Sequence, residues 1–148
     1  MRNADGIETA LYDGVARTPR MRVEEACAWI AEDYPRKWLR LVGLCEQAVA
    51  DGWPRIRRGD LYVLATQQGM PITTCAEFRF DNNLWSILSR YLLMFRPELA
   101  TAIFPKSTDA LDGGAIDFEE VWHGTVARNT FFPCRCWQDA ARLYREAA

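Results

Sequence analysis

The chain has 148 residues, with 18 basic and 20 acidic side chains for a formal charge of −2, and 49% hydrophobic against 26% charged residues. A chain of this length buries about 70% of the surface its unfolded form exposes, enough for one domain with its own core, and the composition excludes a disordered or fibrous protein. The near-balance of charge excludes a strongly basic nucleic-acid coat and an acidic mimic of DNA; with no apolar run near the length of a membrane span and no apolar signal core at the start, the expectation is a cytosolic protein.

Residues 1–21 are polar, with a short apolar patch at Ile7, Ala10 and Leu11, and read as a weakly packed N-terminal arm ahead of a single helical domain over 22–148. From Val23, apolar residues recur at helical spacing through Ala26, Cys27, Ile30 and Tyr34, and Pro35 ends the helix. A second helix runs from about Arg36 to Asp51, with Trp38, Leu41, Val42, Cys45, Ala48 and Val49 on one face and Gly52 as its stop. The connection Trp53 to Arg58 adds three arginines, so that residues 35–58 carry six basic and two acidic groups, a local net of +4. A third helix is expected from Asp60 to about Gln68, with Asp60 as N-cap and Gly69 as stop; Arg58-Gly59-Asp60 reads as that helix start and not as an adhesion signal.

Residues 72–80 are ambiguous. As a strand they place Ile72, Thr74, Ala76, Phe78 and Phe80 on one face; as a helix they begin near Thr73 after a turn at Gly69. Asp81-Asn82-Asn83 caps the most apolar segment, Leu84 to Phe95, which is apolar nearly all round and is assigned the buried centre of the domain. A short helix is expected over Glu98 to Phe104. Residues 106–120 carry Asp109, Asp112, Asp117, Glu119 and Glu120 against Lys106, a local net of −4, and read up to residue 117 as a mobile acidic loop with a turn at Gly113-Gly114. A short helix through Trp122 and a last one from about Pro133 complete a mainly α fold. The expected architecture is a compact single domain of five to seven helices, with 72–80 the one place where a small β-hairpin could form.

Cysteine and histidine usage narrows the chemistry. The odd count, Cys27, Cys45, Cys75, Cys134 and Cys136, without a secretion signal suits reduced thiols acting mostly as core fillers. Cys134-Arg135-Cys136 has one residue between the cysteines where structural zinc wants two to four, and no second pair exists, so no metal site is assigned. His123, the sole imidazole, excludes two-histidine metal sites, and Glu119-Glu120 point apart on a helix. No phosphate-binding glycine loop is present. These readings point to a non-enzymatic protein without a cofactor.

Two functional classes follow. The first is a regulatory or inhibitory module acting through protein–protein contacts. Aromatic residues make up 12% of the chain, and several, Trp53, Trp85, Trp122, Phe131 and Phe132 among them, fall outside the helical stripes. Tryptophan, tyrosine and arginine dominate interface energetics, which makes Trp53 with Arg55, Arg57 and Arg58, and Phe132 with Arg135, candidate anchors for a protein partner. The small size and absent catalytic apparatus suit an accessory protein of a phage or mobile element. The second class rests on Ala65, Gly69, Cys75 and Phe78, whose spacing resembles the helix-turn-helix of phage-repressor-type regulators. That resemblance implies a DNA-binding transcriptional regulator in which Thr73, Thr74, Glu77 and Arg79 face bases and Arg55, Arg57 and Arg58 bind phosphates.

Overall fold

A computed structural model describes residues 17–146, and over them the fold is mainly α, with no strand. Eight α-helices follow in chain order: α1 (Pro19–Ala31), α2 (Arg36–Ala50), α3 (Asp60–Gln67), α4 (Ile72–Ala76), α5 (Asn82–Phe95), α6 (Asp109–Asp112), α7 (Phe118–Thr125) and α8 (Trp137–Ala141). A 3₁₀ turn, Pro97–Thr101, follows α5, and a π-helical turn, Arg142–Glu146, follows α8.

α5 is the centre, as its all-round apolarity requires. Every residue from Ile87 to Met94 is buried, and α1, α8 and the 3₁₀ turn pack against the helix. Asp81 starts it by accepting the Leu84 N–H at 2.7 Å, satisfying one of the donors a helix N-terminus leaves unpaired. Trp38 of α2, Phe95 of α5, Trp122 of α7 and Phe132 form one aromatic cluster of edge-to-face contacts, which Tyr91 of α5 joins at a tilt. Tyr91 also holds α7 through its hydroxyl, which donates to Phe118 O at 2.7 Å.

The structure departs from the sequence expectation at several points. α1 begins at Pro19, not near Val23, because Thr18 accepts the Met21 N–H and proline fits the first helical turn, whose N–H groups need no intrahelical partner. Residues 72–76 are helical, so the hairpin considered at 72–80 does not form; Gly69 takes a positive φ of 74°, turns the chain, and Cys75 and Phe78 point inward together. Residues 106–117 are not a uniform mobile loop: Thr108 caps α6 and brings Asp112 into the core. Asp60 is the first residue of α3, not its N-cap; its carboxylate instead accepts the Arg57 N–H at 2.7 Å. Of the N-terminal arm, residues 1–16 lie outside the described residues.

Candidate functional site

The connection between α2 and α3 is irregular in backbone but tied at both sides. Ile56 is 2% exposed and its N–H donates to Ala102 O at 2.8 Å, which pins the segment to the end of the 3₁₀ turn. Burying Ile56 leaves its neighbours Arg55 and Arg57 exposed, and a reciprocal turn, Arg57 N–H to Asp60 Oδ2 and Asp60 N–H to Arg57 O, holds the far side. Facing this segment are the first turns of α5 and residues 103–106, and the walls enclose a cleft of about 320 Å³.

Four cations line the cleft: Arg55, Arg57, Arg58 and Lys106, with no carboxylate among the lining residues. Arg58 is oriented by donating from Nε to Asn82 Oδ1 at 2.6 Å and from a terminal nitrogen to Phe80 O at 3.3 Å. The Arg55 guanidinium lies 5.4 Å from the centroid of Phe104, whose ring also carries Arg145 at 4.4 Å. Among the described residues Arg55, Arg57 and Lys106 have no carboxylate within salt-bridge distance. Charges of one sign gathered on low-dielectric walls focus a positive potential in the cleft.

The cleft is braced from beneath by Arg90, which is 1% exposed. Its five N–H groups are all used: Nε and one terminal nitrogen bind Asp112 at 2.9 and 2.7 Å, the same nitrogen reaches Lys106 O at 2.9 Å, and the other bonds Ser86 O and Oγ at 2.7 and 2.8 Å. Asp112 also accepts from Trp137 Nε1 and the Thr108 N–H. Burial alone would raise the Asp112 carboxyl, but these hydrogen bonds and the Arg90 charge outweigh it and hold the group below the usual carboxylate range. Arg90 thus joins two cleft walls, α5 and residue 106, to α6.

A larger cavity, about 480 Å³, opens on the other side of this ion pair, lined by Arg135, Glu119, Cys136 and Trp137. Arg90 pairs with Asp112 and Arg135 with Glu119 at 3.7 Å, so that of its lining charges Asp117 alone is left over, against four cations in the basic cleft.

The structure distributes the residues singled out from sequence unevenly. Arg55, Arg57 and Arg58 share the cleft, whereas Trp53 is half-buried against the core. Phe132 is corrected from interface anchor to core: it is 6% exposed inside the aromatic cluster, while Phe131 beside it is 79% exposed. Arg135 is exposed but lies in the other cavity. Thr73 is exposed and Thr74 half-buried; Glu77 pairs with Arg40 at 3.6 Å, and Arg79 stacks 4.0 Å from the Tyr62 ring centroid. Sequence reasoning missed Asn82, Ser86 and Lys106 as parts of the cleft, and Arg90 with Asp112 as the pair that braces it. Arg90 carried a readable signal, as the only charged residue within the apolar segment 84–95, since a charge on a buried helix needs a partner.

Among the described residues no group of three His, Cys, Asp or Glu side chains is placed to hold a metal ion. Burial pushes the Cys27 thiol up to about 11 and raises Cys45 and Cys134 as well. His123 Nε2 lies 3.0 Å from Thr130 O and so carries its hydrogen there. No helix among the described residues is long and apolar enough to cross a membrane. Comparison with models of protein families, with curated proteins and with solved structures found no match.

Proposed function

We propose that this chain is a non-enzymatic binding protein, a regulator that acts by covering an acidic segment of a protein partner with the cleft around Arg55, Arg57, Arg58 and Lys106. The observation that carries the reading is the set of cations without carboxylate partners among the described residues, held on a braced backbone. Keeping like charges together raises the energy of the free protein, and an anionic partner relieves it; because Arg58 is already oriented, little side-chain freedom is lost on binding. Trp85 and Phe104, both partly exposed on the cleft walls, add apolar contact area beside the charges.

A second reading, DNA binding through α3 and α4, has one favouring observation: Ala65, Gly69, Cys75 and Phe78 pack and turn in the manner the helix-turn-helix resemblance implies. Against it, α4 has five residues, about 7 Å of helix, which is short for a reading element in the major groove. Glu77 and Arg79 are also engaged with Arg40 and Tyr62.

Photo-crosslinking separates the two. With a photoreactive residue at position 55 or at position 73 and the protein expressed in its native host, the protein-partner reading expects a discrete protein adduct from 55 and none from 73. Nucleic-acid adducts from 73, with retardation of short duplexes that weakens steeply as salt rises, would replace it with the second reading.

A further inference from the structure

The hydrogen-bond pattern inside the cleft limits what it can hold. Arginine only donates, so the Arg58 contact makes Asn82 Oδ1 the acceptor and leaves the Asn82 amide N–H groups to donate elsewhere. By the same logic Ser86 Oγ accepts from Arg90 and keeps its own hydroxyl hydrogen for a further acceptor. Ser86 O is occupied by Arg90 and by the Ser89 hydroxyl, and Lys106 O by Arg90, so these carbonyls are already engaged. What the accessible lining side chains offer is chiefly donors, three guanidinium groups, an ammonium, an amide and a hydroxyl, while the acceptor oxygen left on Ser89 belongs to a residue only 2% exposed.

We infer that the cleft is a binding site for a phosphate monoester, carried by a phosphorylated side chain of the partner. The inference deepens the protein-partner reading and rests on it. A carboxylate offers two oxygens and one negative charge, fewer than this set of donors and cations can use. A phosphate monoester offers three terminal oxygens and close to two charges at neutral pH, and it accepts hydrogen bonds without needing any acceptor in return. The cleft, about 320 Å³, is at the small end of ligand sites, which suits one such group with its immediate linkage between Trp85 and Phe104.

The test is titration of the full chain with three probes, followed by amide and arginine side-chain NMR shifts: a short phosphoserine peptide, the same peptide with glutamate in place of phosphoserine, and a nucleoside monophosphate. The phosphopeptide is expected to bind at least about tenfold more tightly than the glutamate peptide, with shifts centred on Arg57, Asn82 and Ser86. Asn82→Asp keeps an oxygen for Arg58, and a carboxylate suits the first turn of α5, so its stability should hold or rise while phosphopeptide affinity falls by about tenfold or more. Tighter binding of the nucleoside monophosphate than of the phosphopeptide would keep the site but overturn the assignment of its ligand to a partner side chain. Equal binding of phosphopeptide and glutamate peptide, or no binding of either phosphate probe, would overturn the inference. A protein adduct from position 55 would in that case still stand, whereas its absence removes the partner reading itself.

Discussion

Arg90 and Asp112 show how one residue pair controls the working surface without being part of it. Both side chains are almost wholly buried, at 1% and 5% exposure, and the guanidinium has no spare donor. Removing one partner strands a buried charge. Arg90→Met is therefore expected to cost about 3–5 kcal/mol in urea unfolding, while Arg90→Met with Asp112→Leu should recover much of that loss, because neither charge then remains in the core. If the double variant is as unstable as the single one, the pair's role lies in shape and not in charge compensation. Position 90 also illustrates what was legible. An arginine amid Leu88, Tyr91 and Leu92 signals a buried partner, but nothing in local sequence marks Asp112, 22 residues on, as that partner rather than Asp109 or Asp117. Phe132 fell on the other side of the same limit: its lack of helical periodicity suggested exposure, yet a residue in an irregular segment can enter a core that several helices build around it.

At the level of elements, helices of eight residues or more such as α2, α3 and α5 were readable, whereas the shorter α4 and α6 were not. α2 and α5 emerged with ends within two residues of the structure, since a broad stripe and a terminal Asp or Gly suffice to define them. α4 and α6 have five and four residues, too few for periodicity to separate helix from strand or loop. α4, which has no side-chain cap, is held by its packing against α3, and α6 by its Thr108 cap and the Asp112 ion pair. α5 matters most to the site because its first turns carry Asn82, Trp85 and Ser86. Asp81→Ala removes its N-cap and is expected to lower stability by about 1 kcal/mol, measured as a shift in the urea midpoint followed by circular dichroism. A loss below a few tenths of a kcal/mol would mean that packing alone fixes the helix start.

Across the whole molecule, the two charge blocks of the sequence separate into charges used internally and charges left over. In the basic block, Arg36 pairs with Asp33, Lys37 with Glu32 and Arg40 with Glu77, so α2's cations are matched and the surplus concentrates at Arg55, Arg57 and Arg58. In the acidic block, Asp112 is buried with Arg90, Asp117 caps α7, Glu119 meets Arg135 and Glu120 meets Arg20. The acidic segment is thus largely structural, while the basic one presents charge that no described residue matches. The internal use of Asp112 predicts an acid sensitivity with a definite sign. Against the opposing effect of burial, the hydrogen bonds Asp112 receives and the Arg90 charge hold its folded carboxyl below the ordinary value of 3.8, so its contribution is complete above that value and is lost as pH falls through the lower folded value. Urea unfolding from pH 5 downward should therefore show a steeper loss of stability for the wild type than for the Arg90→Met, Asp112→Leu double variant; parallel curves would mean that the pair is not the source.

Charge reversal at the surplus cations tests the working surface most directly. Arg55→Glu with Arg57→Glu changes two exposed side chains and no buried contact of the core, so the urea midpoint should stay within about 0.5 kcal/mol of wild type. Capture of the partner identified by crosslinking at position 55, measured side by side for wild type and this variant, should then be abolished in the variant. Undiminished capture by a variant that remains folded would contradict the assignment of the cleft as the site of binding.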